Sequence, residues 1–250
     1  MPVRYKSPLE IEVMRAGGRI LSDVLLYAAD EISVGMSAGT LDQKIHQKIV
    51  EYGAQPSFLG YNGYRHATCI SRNEEIVHGI PYEDKLFLPG DLVSVDVGVY
   101  YKGFHVDAAR SFCIDTVDPE IERLKTVTER TFFECLAVLK AGCYLGDIGS
   151  TMQTYVEANG FSVIRDLCSH GVGVELHEDP MILHYGRPGQ GMKLRTGMTL
   201  AIEPMVSQKS YDVITLADKW TIITADRLMA AHYENTVYIG PEGPEVLTLP

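Results

Sequence analysis

The sequence predicts an α/β fold of the mixed (α+β) kind, made of two related halves. Three observations support this prediction: four amphipathic helices carry start and stop signals, alternating strands lie between and after them, and several glycines repeat at one spacing. The 250 residues are 46% hydrophobic and 22% charged, which is typical of a globular protein with a sizeable core. Because no linker-like stretch interrupts the pattern, we expect a single domain over residues 1–250.

The first helix has the clearest start signals. Ser7 can cap it, Pro8 suits its first turn, and Glu10 completes a capping box before a periodic run that reaches Glu31. The same kinds of signal predict three further helices, the second starting near Thr40, over residues 40–53, 118–142 and 147–160. Five strands are predicted from alternation, over residues 92–100, 104–114, 199–206, 220–223 and 233–239.

A weak internal repeat relates the two halves. Asp96 and Glu203 are 107 positions apart, and each lies six residues after a glycine that can form a turn. Four pairs of glycines share this spacing: Gly35 and Gly142, Gly39 and Gly146, Gly53 and Gly160, Gly90 and Gly197. A related echo, HGIP and HEDP, begins at His78 and His177. A duplicated fold would place its site at the junction of the halves, where both supply side chains.

Composition restricts the compartment and the partners. A net charge of −11 without a cluster of Lys and Arg argues against nucleic-acid binding. No apolar run approaches the roughly 18 residues of a membrane span, and the opening MPVRYKSPLEIE has no signal-peptide core. Five cysteines without paired spacing favour a reducing compartment. We therefore expect a cytoplasmic, monomeric protein that does not contact membranes.

The first two predicted strands, over residues 92–100 and 104–114, bring two carboxylates together. In a hairpin centred on a Tyr101-Lys102 turn, with Gly103 next to it, Asp96 lies directly opposite Asp107. Opposed Cβ atoms are about 4.5–5.5 Å apart, and like charges at that distance destabilise the pair. Either the carboxyls share a proton, or a cation bridges them, or the register differs by two and both are solvated.

Two histidines lie in a glycine-containing segment, SHGVGVELHEDP. Gly171 and Gly173 favour an extended or looped path here, not a helix with His170 and His177 on one face. A neutral imidazole is a good ligand for transition metals. Taken alone, the pair is better explained as two unrelated polar residues of a loop.

Taken as a whole, the chain resembles the type I methionine aminopeptidases over essentially all 250 residues. The resemblance is carried by SFLGYNGYRHATCISRNEEIVHGIP, DLVSVDVGVYYKGFHVDAARSF, HGVGVELHEDP, LAIEPMV and DKWTIITADRLMAAHYENT. It implies the pseudo-twofold "pita-bread" fold, a curved antiparallel sheet covered by two pairs of helices. It also implies five metal ligands, namely Asp96, Asp107, His170, Glu203 and Glu234.

The implied ligand set is rich in oxygen and has one imidazole. Such a set favours two divalent ions of cobalt, manganese or iron over a structural zinc ion, which prefers thiolates and histidines. The resemblance implies removal of the N-terminal methionine from peptides and nascent proteins, with a small second residue. We expect Glu203 to carry protons, His177 to polarise the scissile carbonyl, and His78 to contact the peptide beside the scissile amide.

The resemblance further implies an apolar pocket for the methionine side chain. Such a pocket suits this side chain because sulfur and aromatic groups attract each other. Its expected members are Tyr61, Tyr64, Cys69, Met205 and Trp220, with Phe58, His78 and Leu176 around them. Four residues depart from the usual pattern of the family at the pocket rim and beside the ligands: Ser169, Val174, Glu175 and Leu176. They bear on side-chain preference and rate, not on the type of reaction.

Two other functions fit parts of the sequence. An X-Pro aminopeptidase or prolidase would use the same five ligands, but those enzymes usually carry a substantial extra N-terminal domain, and the first helix here begins at residue 8. A non-catalytic peptide-binding relative would tend to lack ligands, and all five residue types are present. Association with the ribosome would require a local basic patch, which the acidic sequence does not display.

Overall fold

The computed structural model describes residues 3–249. Its helices are α1 (Pro8–Glu31), α2 (Ala38–Glu51), α3 (Pro119–Val138) and α4 (Leu145–Ala158), with one 3₁₀ turn at Tyr61–Gly63. Its strands are β1 (Gln55–Pro56), β2 (Thr68–Arg72), β3 (Glu75–Val77), β4 (Leu92–Tyr101), β5 (Phe104–Cys113), β6 (Ser162–Val163), β7 (Cys168–Gly171), β8 (Glu178–Leu183), β9 (Thr199–Ile202), β10 (Met205–Ser207), β11 (Val213–Thr215), β12 (Ile222–Thr224), β13 (Ala230–His232), β14 (Asn235–Gly240) and β15 (Gly243–Val246).

The helix prediction is confirmed, with corrections at the ends. At α1 the Ser7 side chain accepts from the Glu10 N–H, and the Glu10 carboxylate accepts from the Ser7 N–H at 2.7 Å. Helix α2 starts earlier than predicted, because Ser37 is the cap and Thr40 is the third helical residue. Asp147 is likewise the third residue of α4, where its carboxylate accepts from the Tyr144 N–H at 2.7 Å.

Two sheets dominate the fold, and each belongs mainly to one half of the chain. The first has the order β1-β4-β2 with β5 also pairing β4, and the second has the order β15-β14-β9-β7-β8. Of two smaller sheets, β13-β10-β6 consists of second-half strands, and β11-β12-β3 pairs β3 of the first half with two strands of the second. Every strand pair described is antiparallel.

Each half has its own hydrophobic core. In the first half, α1 and α2 pack on the valine-bearing face of β4, where Val95 and Val97 are fully buried. In the second half, α3 and α4 pack on β9, with Leu200 and Ile202 fully buried. Burying one apolar face of each sheet under a helix pair leaves the opposite faces for a site, and Asp96 of β4 and Glu203, just after β9, line one cavity.

The predicted repeat is visible in the backbone. Three of the four glycine pairs adopt matching positive φ angles, a conformation that other residues rarely adopt. The values are 83° and 95° for Gly35 and Gly142, 71° and 80° for Gly53 and Gly160, and 92° and 95° for Gly90 and Gly197. The two halves are therefore built on one local plan, as the spacing of 107 positions predicts.

The predicted hairpin register is wrong by two residues. The turn is formed by Lys102 and Gly103, with φ angles of 47° and 95°, and both positions of a type I′ turn require positive φ. Asp107 therefore lies opposite Gly98, and Asp96 lies opposite Ala109. Because side chains alternate with period two, a shift of two keeps both aspartates on the same face, as diagonal neighbours.

Three predicted strands have different limits. The run over 199–206 is interrupted at Glu203-Pro204, so that β9 and β10 belong to separate sheets. The run over 233–239 begins only at Asn235, and β13 precedes it. The strand predicted over 220–223 is β12, and it starts at Ile222.

Within residues 3–249, no helix has the length and apolar character needed to cross a bilayer.

Candidate active site

All five predicted ligands line one cavity of about 520 Å³ between the two halves. Asp96 and Asp107 project from the middle of β4 and β5, and His170 projects from β7. Glu203 directly follows β9, and Glu234 directly precedes β14. The structure thus brings together residues from five separate elements and from both halves of the repeat.

The halves are joined at one of these residues. The Glu234 N–H donates to the Ala109 carbonyl at 3.0 Å, and the Ala109 N–H donates back to the Glu234 carbonyl at 3.3 Å. Beside this exchange, the Asp107 N–H donates to the Thr236 hydroxyl at 2.8 Å. Main-chain pairing between β5 and the start of β14 therefore fixes Asp107 and Glu234 relative to each other.

The donor atoms are spaced as ligands of shared ions would be. Asp107, His170 and Glu234 each offer an atom that lies within 4.8 Å of the other two. The His170 Nε2 atom lies 3.4 Å from the Glu203 Oε1 atom. Since metal–ligand bonds are about 2.0–2.2 Å long, two ligands of one ion can be at most about 4.4 Å apart. The 3.4 Å between His170 and Glu203 is within that limit, and the 4.8 Å bound on the group of three exceeds it by about 0.4 Å.

The carboxylates are buried without enough partners. The exposed fraction is 9% for Asp96, 4% for Asp107 and 2% for Glu234. One oxygen of each of these three side chains has no hydrogen-bond partner among the described residues. Burial of an unpaired carboxylate is costly, so the site requires a compensating positive charge or a proton. The solvated alternative for Asp96 and Asp107 is excluded.

Burial also shifts the proton affinities of these groups. It raises the pKa of Asp107 to about 7. Burial, followed by the neighbouring Asp107 charge, raises the pKa of Asp96 well above its ordinary value. The pKa values of Glu203 and Glu234 are raised for the same two reasons. Four buried carboxyls this close together do not readily all carry negative charge. A bound cation would favour their charged forms.

His170 is oriented as a ligand. Its Nδ1 atom lies 2.8 Å from the Gly171 carbonyl oxygen, so Nδ1 carries the proton and Nε2 presents its lone pair to the carboxylates. Burial lowers the pKa of His170 to about 3, which keeps the ring neutral. The residues present therefore fit a divalent-cation site: four carboxylates and one correctly oriented imidazole.

Two further histidines lie above this group, as predicted. The His177 Nδ1 atom is 2.9 Å from the Tyr61 hydroxyl oxygen, and the His177 ring centroid is 4.3 Å from that of His170. His78 lies in the cavity wall with a φ of 57°, a conformation that is rare outside glycine. Burial, and then the nearby His177, lower the pKa of His78 to about 4.

The segment that carries His177 is held from below by a buried ion pair. Lys6 Nζ contacts the Glu178 carboxylate, and the two side chains are only 1% and 5% exposed. The other oxygen of Glu178 accepts from the N–H of Val174 at 2.7 Å and of Glu175 at 3.2 Å. Lys6, just before α1, is thus linked through Glu178 to the loop that carries Val174, Glu175 and His177.

The residues predicted for the side-chain pocket line the same cavity. The rings of Tyr64 and Trp220 meet edge to face at 4.9 Å, and the Tyr64 hydroxyl donates to the Thr68 carbonyl. All eight predicted residues line the cavity: Phe58, Tyr61, Tyr64, Cys69, His78, Leu176, Met205 and Trp220. The departure at position 176 leaves an aliphatic side chain, 2% exposed, packed against these aromatic rings.

Two residues beside Glu203 were not predicted to act on it. The Glu203 N–H donates to the Ser169 hydroxyl at 2.9 Å, and Ser169 is one of the departures from the family pattern. His232 is 1% exposed, and its Nε2 atom lies 3.5 Å from Glu203 Oε2. The alternation of His232 and Glu234 around Tyr233 is the only sequence signal for this placement.

Comparison with known proteins agrees with this site. The profile of Metallopeptidase family M24 matches residues 12–241. The methionine aminopeptidase of Clostridium perfringens is 47% identical over 98% of this chain and 98% of its own length. The crystal structure of the Thermotoga maritima methionine aminopeptidase superimposes with a TM-score of 0.98, at 42% identity, over 100% of both chains.

More distant relatives share the fold alone. The prolidase from Pyrococcus furiosus superimposes with a TM-score of 0.80 at 22% identity, covering 98% of this chain but only 65% of its own. The pita-bread fold is thereby confirmed, and the X-Pro hypothesis gains no support from sequence. The chain belongs to metallopeptidase family M24 and, within that family, to the methionine aminopeptidases.

Proposed function

We propose that this metallo-aminopeptidase removes the N-terminal methionine from peptides and nascent proteins, using two divalent ions held by Asp96, Asp107, His170, Glu203 and Glu234. The observation that carries the proposal is the convergence of four buried carboxylates and one imidazole on the floor of an apolar cavity. Four carboxylates match the charge of two divalent ions. Oxygen-rich donors with one imidazole suit cobalt, manganese or iron.

The chemistry that two such ions supply is Lewis-acid polarisation of a carbonyl and acidification of a water. Glu203 is the group that accepts and returns the proton of this water, since its carboxylate lies at the cavity floor and burial raises its pKa. A carboxyl with raised proton affinity can hold a proton between attack on the peptide and departure of the amine.

His177 and His78 act on the peptide from the other side of the cavity. His177 lies 4.3 Å, ring to ring, from His170, so a carbonyl directed toward the carboxylates also passes His177. With its Nδ1 atom next to the Tyr61 hydroxyl, the His177 ring leaves Nε2 available as a hydrogen-bond donor to the developing oxyanion. His78 lines the wall nearby and would contact the backbone at the scissile amide.

The apolar wall selects the side chain. Tyr64, Trp220 and Cys69 form a sulfur- and aromatic-lined hollow that suits an unbranched thioether. Trp220 is the single tryptophan, so binding of a methionine analogue should change the intrinsic fluorescence. A small residue after methionine is the expected preference, because the resemblance to the methionine aminopeptidases implies it.

Other predicted properties complete the proposal. We infer a single catalytic domain over residues 1–250 that acts as a monomer in the cytoplasm, where nascent chains expose their N-terminal methionine. Docking at the ribosome would need a basic surface patch, and the net charge of −11 provides no general attraction to RNA.

The direct experiment uses chelator-treated protein reloaded with cobalt, manganese or iron. A Met-Gly-type peptide should release free methionine only in the reloaded samples, and an X-Pro dipeptide should remain intact. Equal cleavage of both peptides would contradict the methionine specificity. Methionine release that is unaffected by chelation would contradict the metal mechanism.

A further inference from the structure

His232 lies behind the ligand set and faces two of its members. Its Nε2 atom is 3.5 Å from Glu203 Oε2 and 3.8 Å from Glu234 Oε2. The side chain is 1% exposed, and Nε2 is a buried polar atom with no hydrogen-bond partner among the described residues. A buried ring nitrogen directed at two carboxylate oxygens requires a functional explanation.

The position of the ring argues against a place in the substrate cavity. The five predicted ligands all line the cavity of about 520 Å³. His232 instead borders a separate cavity of about 180 Å³, together with Arg110 and Tyr233. Glu203 and Glu234 thus line the cavity that the substrate would occupy, and His232 does not.

The two oxygens of Glu203 face different imidazoles. Oε1 lies 3.4 Å from His170 Nε2, on the cavity side, and Oε2 lies 3.5 Å from His232 Nε2, on the far side. The Glu203 backbone is anchored separately, through the hydroxyl of Ser169 at 2.9 Å. The backbone of Glu203 is thus fixed by a hydrogen bond. The orientation of its carboxylate depends on which group contacts Oε2.

We propose that His232 is a positioning residue that engages Oε2 of Glu203 and thereby directs Oε1 toward the ion beside His170. The inference rests on the proposed function, since it assigns a role toward the same ions. The His232 backbone is itself held in place, because its N–H donates to the Ser111 hydroxyl and that hydroxyl donates to the His232 carbonyl at 2.8 Å.

The test compares His232→Leu with His232→Gln in metal titrations by calorimetry. Leucine removes the ring nitrogen, and we expect about 10- to 100-fold weaker binding of the tightest ion, the size typical for lost partners of metal ligands. Glutamine can place an amide N–H near the position of Nε2, so we expect most of the affinity to return. His46→Leu, on α2 and away from the site, controls for loss of a histidine.

A second measurement keeps the proposal open to contradiction if the leucine variant folds poorly. In a crystal of the unaltered, cobalt-loaded protein, His232 Nε2 should contact Glu203 and no ion. A bond of about 2.0–2.1 Å from an ion to that nitrogen would overturn the positioning role, because His232 would then be a ligand. Unchanged affinity in a folded His232→Leu variant would also overturn it. Failure of the unaltered protein to bind metal would overturn both this inference and the proposed function.

Discussion

The two halves of the chain share one plan but present their carboxylates differently. Asp96 lies in the middle of β4, a continuous strand of ten residues that pairs with β5 along its whole length. Glu203, its partner in the repeat, lies just after β9, a strand of four residues that ends before Pro204. The first half therefore fixes its ligands by strand pairing, which aligns side chains automatically.

In the second half, side-chain contacts fix the segments of Glu203 and His177, while main-chain pairing still fixes Glu234. Ser169 anchors the backbone of Glu203, and the Lys6–Glu178 ion pair anchors the segment carrying His177. The two halves thus share one backbone plan. In the second half the strand ends before Pro204, and Glu203 follows it. Changes in the second half should consequently affect catalysis and local stability at individual contacts, and each of the following predictions tests that difference.

The largest effect is expected from Glu203→Gln. This change removes a charged ligand and the proton carrier together, so kcat should fall by about 10²–10⁴-fold, the range for a lost general base. Steady-state kinetics on a Met-Gly-type peptide measure it. Glu242→Gln, an exposed carboxylate between β14 and β15 and away from the cavity, is the matched control and should stay near the parent rate. Comparable losses in both variants would argue that Glu203 has no special role.

The second prediction concerns the buried ion pair. Lys6→Met leaves the Glu178 carboxylate buried and unpaired, which should lower the free energy of unfolding by about 3–5 kcal/mol. The double variant Lys6→Met with Glu178→Gln removes both charges and should recover most of that loss. Urea unfolding of the three proteins measures it. A double variant no more stable than Lys6→Met would show that the charge pair is not the cause.

The third prediction concerns the oxyanion. His177→Ala removes the proposed donor, so kcat should fall by about 10²–10³-fold while KM changes little. His46→Ala provides the comparison, because His46 lies on α2 outside the site. The kinetics should be measured on metal-loaded protein with equal metal content. Near-normal turnover of His177→Ala would end the role proposed for that residue.

The smallest effect is expected from pH in the metal-free protein. Burial raises the pKa of Asp107 from its ordinary 3.8 to about 7, so the folded state holds this proton more tightly than the unfolded state. The resulting stabilisation is full below pH 4 and is lost as pH rises toward 7. Asp107→Asn should flatten that decline, by about a few degrees of melting temperature.

Thermal melts in chelator across pH 4–8 measure this difference between Asp107→Asn and the unaltered protein. The other carboxyls with a raised pKa are present in both proteins, so only the difference between the two melting curves is assigned to Asp107. Parallel curves would contradict the link between burial of this carboxyl and stability.

The sequence predicts much of this structure because several of its signals are local. Capping at Ser7 and Asp118 depends on residues within one turn, and both caps are observed. The period of two along β4 predicts which face carries Asp96, whatever the register. Ligand types were recognisable because the resemblance is carried by long segments and not by single residues.

The errors arise where a local signal competes with tertiary structure. The hairpin register depended on which residues adopt positive φ, and Lys102 is not a residue that usually signals it. The strand break at Glu203-Pro204 could have been predicted, because proline lacks the N–H that a central strand needs. The role of His232 could not have been predicted. The alternation of residues along a strand does not indicate which side chain will contact a carboxylate from another strand.

A crystal structure of the cobalt- or manganese-loaded protein, with anomalous scattering data, would test the shared metal site without recourse to activity. We expect two ions in the cavity between the halves, bound by oxygens of Asp96, Asp107, Glu203 and Glu234 and by Nε2 of His170. Anomalous peaks elsewhere, or ligands drawn from only one half of the repeat, would contradict a site built by both halves.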